Sequence, residues 1–145
     1  MDRLALPLQE TGLLMLRQFG IALVTLIVLD GVWLGVVMTD FYRRSLAPMA
    51  RMADGSLDPI WPVAALVYPV IALGLVVFVL GRARTPIDAL ALGALFGVVT
   101  FAVYDLTNHA TLREWRSVMT IVDIAWGAAS CGTTAWIAAT LTRPA

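Results

Sequence analysis

The stretch VTLIVLDGVWLGVV, Val24 to Val37, decides how the rest of the chain is read. It is as apolar as a membrane anchor, yet Asp30 sits near its middle. Working outward from it, the surrounding residues stay apolar from Phe19 to Met38, and three further stretches of similar character follow at Ile60–Leu80, Ile87–Leu106 and Val118–Leu141. About 20 apolar residues in a helix cross the roughly 30 Å hydrocarbon core of a bilayer. Backbone groups in lipid must find their hydrogen bonds internally, and no strand-type alternation is present, so these stretches are expected as helices.

Composition agrees. Of 145 residues 60% are hydrophobic and 14% charged, against about 45–50% and about 25% in soluble domains. A soluble fold of this size buries only about 70% of its surface, so the apolar excess must face lipid. The ten acids balance ten bases, all of them arginine. No basic run is available to grip a phosphate backbone, which sets nucleic acid aside as a partner. The single cysteine, Cys131, excludes an internal disulfide and any cysteine-based metal cluster. The first apolar run starts too late and runs too long for a cleaved secretory signal.

The expected fold is therefore all-α: one transmembrane domain over residues 1–145, an integral membrane four-helix bundle with up-down-up-down topology. The second connection, GRARTP, is short and forces a hairpin, with Thr85 placed to cap the third helix ahead of Pro86. Ser117 is a candidate cap for the fourth. The first connection is the longest and holds MADGSLDP, a turn signature. Arginine bias gives no orientation: Arg3, Arg17, Arg82, Arg84 and Arg143 on one side match Arg43, Arg44, Arg51, Arg113 and Arg116 on the other. Gly31/Gly35 and Gly93/Gly97 are small-residue pairs four apart, read as intramolecular packing in preference to a homo-oligomer contact.

Asp30 is not the sole acid in an apolar setting. The third span ends in VYDLTNHATL with Asp105, Asn108 and His109, and the fourth opens with Asp123 in VDIAWG. At 1.5 Å rise per residue, Asp30 lies about 12 Å and Asp123 about 8 Å from the same end of the bundle, with Asp105 near the boundary. Residues three and four apart share a helix face, so Asp30 goes with Trp33, Asp123 with Trp126, and Asp105 with Asn108 and His109. Aromatic residues crowd the same half. Trp61 and Trp115 suit an interfacial belt, whereas Trp33, Tyr68 and Trp126 lie too deep for one.

Each polar group alone has an ordinary explanation: Asp30 as hydrogen-bonded glue between helices, Asp105 and Asp123 paired with Arg113 or Arg116, His109 at the interface. Together they outweigh it, because a charge at the bilayer centre costs about 2.5–3.5 kcal/mol and intramembrane acids mark functional sites. The expectation is an acidic pocket formed by Asp30, Asp105, Asn108, His109 and Asp123 and walled by Trp33, Tyr68, Tyr104 and Trp126. Its first use is binding, or helping to modify, a membrane lipid or small amphipath. A proton- or cation-coupled path is the alternative, weakened by the apolar far end, and a structural accessory subunit is a third. No HxxxH or HxxE spacing is present, so no metal and no cofactor is expected.

The segments LDGVWLG, FYRRSLAPM, YDLTNHATLREW and VDIAWG resemble a family of small bacterial membrane proteins, domain-of-unknown-function 2177. The resemblance runs from Ile21 to Thr140 and is most specific at Asp105–Leu112 and Asp123–Gly127. It implies a multi-pass bacterial inner-membrane protein and assigns no catalytic residue. It also implies a lipid-modifying enzyme as partner, since members occur near fatty-acid cyclopropanation genes.

Overall fold

The computed structural model describes residues 8–143, and Arg3 of the arginine tally falls outside them. The protein is all-α apart from one small hairpin. Helix α1 (Leu8–Val32) passes into a π-helical segment, Trp33–Val37, and is followed by a short helix α2 (Thr39–Leu46). Strands β1 (Met52–Ala53) and β2 (Ser56–Leu57) pair antiparallel, Met52 opposite Leu57. Helix α3 (Trp61–Gly74) runs into a second π segment, Leu75–Leu80, before α4 (Pro86–Thr111) and α5 (Ser117–Thr142).

The turn signature in the first connection becomes the hairpin tip. Asp54 and Gly55 both take positive φ, 49° and 76°, the pair of left-handed conformations that a two-residue hairpin turn with the twist of its strands requires. Thr85 caps α4 as expected: its hydroxyl accepts from the Asp88 N–H while Asp88 accepts from the Thr85 N–H. Ser117 does not cap α5. It is the first helical residue and its hydroxyl meets His109 instead, so Arg116 stands at the cap position with no side-chain bond.

Among the described residues three helical stretches are long and apolar enough to cross a membrane: Gln9–Val37, Trp61–Leu80 and Pro86–Thr111. Their outer faces are bare hydrocarbon, with Val24, Val28, Leu66, Val70, Leu95 and Val103 each more than half exposed. α5 is built differently. It buries Met119, Asp123, Gly127, Cys131, Ala135 and Ala138 along its length, a face made largely of small residues, while Ile121, Trp136 and Leu141 stay exposed on the other.

The α4–α5 contact shows why. A Cβ on Gly93 would stand 2.7 Å from the Cys131 carbonyl oxygen, and one on Gly97 would overlap the Gly127 carbonyl. The order of these contacts makes α4 and α5 antiparallel. Gly31 and Gly35, by contrast, face open space with nothing within 4 Å. The intramolecular packing expected there is not found, because α1 turns Asp30 and Trp33 inward and leaves both glycines outside. Trp115 also departs from expectation. It is 7% exposed and donates to the Thr120 hydroxyl at 3.0 Å, so it belongs to the packed interior and not to a belt.

The apolar core fills the other half of the molecule, where Ala22, Leu26, Leu75, Val79, Leu80, Ala135 and Ala138 meet. At that end Arg143 donates to the Ala83 carbonyl at 3.3 Å and Gln18 to the Thr142 hydroxyl at 3.3 Å. At the opposite end Arg116 reaches the Ser45 hydroxyl at 3.4 Å. α5 therefore runs the full height of the molecule.

Candidate functional site

α1 and α5 each carry the sequence D-x-x-W, and the two copies bond to one another. Three-residue spacing puts each acid and its tryptophan on one face, and the chain directions bring those faces together. The Trp126 indole N–H donates to Asp30 Oδ1 at 2.7 Å. Trp33 lies flat on Trp126, ring centroids 4.3 Å apart and planes 2° from parallel. The Trp33 N–H in turn donates to the Tyr42 hydroxyl at 3.3 Å, and that hydroxyl donates to Asp123 Oδ1. Each motif's tryptophan thus serves the other motif's acid, one directly and one through Tyr42.

The π segment contributes to this aim. Its hydrogen bonds skip five residues, as in Met38 N–H to the Trp33 carbonyl at 2.7 Å, and π turns inside α-helices occur often at functional sites. The break at Met38 then starts α2, which presents Tyr42 and Ser45, three apart, to the interior. Ser45 is held by Arg116. Burial first, and then the hydrogen bond to Asp123, push the Tyr42 hydroxyl above the usual phenol range. It is a neutral donor at any ordinary pH.

Asp105 completes the group. α4 continues past the expected boundary to Thr111, and the Thr107 and Thr111 hydroxyls in that last stretch donate to the Val103 and Thr107 carbonyls at 2.6 and 2.8 Å. The Asp105 carboxyl is fully buried and adjoins Asp123. Its oxygens meet no amide, hydroxyl or indole donor among the described residues, and their polar neighbour is the Asp123 carboxyl, with which a protonated Asp105 can hydrogen-bond. Buried polar atoms are almost always paired, so a carboxyl left this way is the most unusual group in the molecule.

Asp30, Asp105 and Asp123, with Leu34, Tyr42, Phe101, Tyr104 and Trp126, line a cavity of about 150 Å³. Beside it, between α3 and α4, lies an apolar groove of about 570 Å³ lined by Val63, Leu66, Val67, Val70, Ile71, Thr100, Phe101 and Tyr104. Phe101 and Tyr104 form walls of both.

Of the residues singled out in the sequence, Asp30, Tyr104, Asp105, Asp123 and Trp126 line the cavity and Trp33 backs it. Tyr68 does not reach it and packs on the apolar core instead. Asn108 is half-buried outside the lining, and His109 is exposed one turn beyond the packed region, with Nε2 3.2 Å from the Ser117 hydroxyl. Neither Arg113 nor Arg116 pairs with an acid of the site; the one ion pair among the described residues is the exposed Arg43–Asp40. Tyr42 is not legible as a site residue in the sequence, because it lies in a charged connection outside the apolar spans. Its spacing from Ser45 was the available signal. Among the described residues no group of three His, Cys, Asp or Glu side chains is arranged to hold a metal ion.

Neither curated proteins nor solved structures gave a match to this chain. The family comparison did: a family described as predicted membrane protein, DUF2177, matches residues 15–140 and takes in every residue that lines the cavity. On that match, and with helices of membrane-spanning length and apolarity, the chain belongs to the DUF2177 family of membrane proteins.

Proposed function

We propose that this protein binds a single-chain amphipath from the bilayer, its polar end in the acidic cavity and its hydrocarbon in the α3–α4 groove. The observation that carries this reading is the shared wall: Phe101 and Tyr104 border the small cavity among Asp30, Asp105 and Asp123 on one side and an apolar, lipid-facing trough on the other. Pockets between bundle helices are a usual ligand site, and a few placed polar groups fix the ligand's orientation there. α5 serves as the fourth span in this reading, and the bacterial inner membrane and a lipid-modifying enzyme partner follow from the family resemblance.

A proton- or cation-coupled path has less support. Polar atoms continue from Asp123 to Ser130 and Thr134 along α5, but Leu75, Val79, Leu80, Ala138 and Ala139 close the far end.

Native mass spectrometry after mild detergent extraction tests the proposal. The wild type should retain one amphipath per chain, and Val67→Trp, which fills the groove from its half-exposed lipid side, should lose it without a change in melting temperature. A wild-type protein that carries no ligand, or a variant that keeps it, overturns the assignment.

A further inference from the structure

Hydrogen-bond accounting in the cavity goes further and specifies the ligand's polar end. We propose that the site selects amphipaths with a protonated amine head and rejects those with an anionic one. This rests on the amphipath reading above and deepens it.

Four donors border the site, and three are committed within it: the Trp126 N–H to Asp30, the Trp33 N–H to Tyr42, and the Tyr42 O–H to Asp123; the fourth is the Tyr104 hydroxyl at the wall shared with the groove. The larger unmet capacity is for accepting. Asp105 lines the cavity, and both of its buried oxygens lack an amide, hydroxyl or indole donor. A ligand completes Asp105 by bringing N–H or O–H groups, and an acceptor-only head leaves it as it is. Charge points the same way. Three carboxyls line the cavity and no arginine or histidine does, so a phosphate or carboxylate would enter against like charge with nothing to offset it. Four of the lining residues, Tyr42, Phe101, Tyr104 and Trp126, are aromatic, the side-chain type whose ring face attracts a cation. Size agrees as well: an apolar cavity of about 150 Å³ is known to hold benzene, enough for an ammonium with its first carbons and too little for a substituted phosphate diester. The adjoining groove supplies the requirement for a tail.

The test uses the full chain in nanodiscs of neutral phosphatidylcholine, with quenching or shift of the fluorescence of stacked Trp33 and Trp126 as readout. Dodecylamine, dodecanol, dodecanoate and ethylamine are titrated at pH 7. The proposal expects dodecylamine to bind at least tenfold tighter than dodecanol, with dodecanoate not bound. Asp105→Asn, nearly isosteric, should cut dodecylamine affinity at least tenfold and dodecanol affinity by a much smaller factor, because the amide oxygen still accepts an O–H and only the charge is lost. Dodecanoate binding as well as dodecylamine overturns the proposal in the wild type, with no variant needed, and so does Asp105→Asn that keeps its amine affinity. If none of the C12 probes binds, the amphipath reading itself fails. If ethylamine binds as tightly as dodecylamine, the head preference stands and the groove has no part in it.

Discussion

At the scale of the residue, Tyr42 holds the site together. It is 7% exposed, takes the Trp33 N–H and gives its own proton to Asp123. Tyr42→Phe removes one oxygen and leaves an indole N–H and a carboxyl oxygen unpaired in the interior, which costs about 1–3 kcal/mol for such groups. The pH dependence has a definite sign. Burial and the Asp123 bond keep the folded-state hydroxyl protonated well past the point where an unfolded tyrosine ionises, near pH 10. Above that pH the unfolded chain releases a proton that the folded chain retains, so stability falls as pH rises, by up to about 1.4 kcal/mol per pH unit. Melting curves at pH 8, 10 and 11 should show a steeper alkaline loss in the wild type than in Tyr42→Phe. Parallel losses would mean that Tyr42 does not carry the effect.

At the scale of the element, the two small-residue pairs make opposite predictions. Gly97 lies against the Gly127 backbone, and Gly31 faces open space. Gly97→Ala must push α4 from α5, at about 1–3 kcal/mol as for other overpacked contacts. Gly31→Ala meets nothing and should gain about 0.5–1 kcal/mol from helix propensity. Unfolding in mixed micelles followed by circular dichroism separates them, and equal midpoints would contradict the packing described. The sequence shows both pairs alike because spacing reveals a shared face and not what that face meets. The same limit governs the rest. The long apolar runs and the Thr85 cap were legible because hydropathy and capping are local. The π turn at Trp33 and helix α2 were not. Nothing in WLGVV marks a wider turn, and TDFYRRSL carries enough charge to read as a connection. The acids were legible as a group by depth alone; that Trp126 serves Asp30 and that Asp105 is left without a donor depend on how α1, α4 and α5 pack.

At the scale of the whole molecule, α5 decides how the chain sits in the bilayer. It has 26 residues, about 39 Å at helical rise, which exceeds the hydrocarbon thickness of roughly 30 Å. It starts beside α2, where Arg116 meets Ser45, and ends beside the α3–α4 turn, where Arg143 meets Ala83. Small residues can replace apolar ones on one face of it because α4 covers Gly127, Cys131 and Gly132 there. A crossing α5 puts Ser56 and Arg113 on one face of the membrane and Arg82 and Arg143 on the other. Single-cysteine variants Ser56→Cys, Arg113→Cys, Arg82→Cys and Arg143→Cys, made on Cys131→Ala, can be treated with an impermeant maleimide in sealed vesicles of one orientation. The first two should label together, the last two should label only after permeabilisation or the reverse, and the pattern also orients a chain whose arginines are evenly divided. If Arg143→Cys labels with Arg113→Cys, α5 does not cross. The acidic cavity then loses its basis as an intramembrane site, because α5 supplies both Asp123 and Trp126.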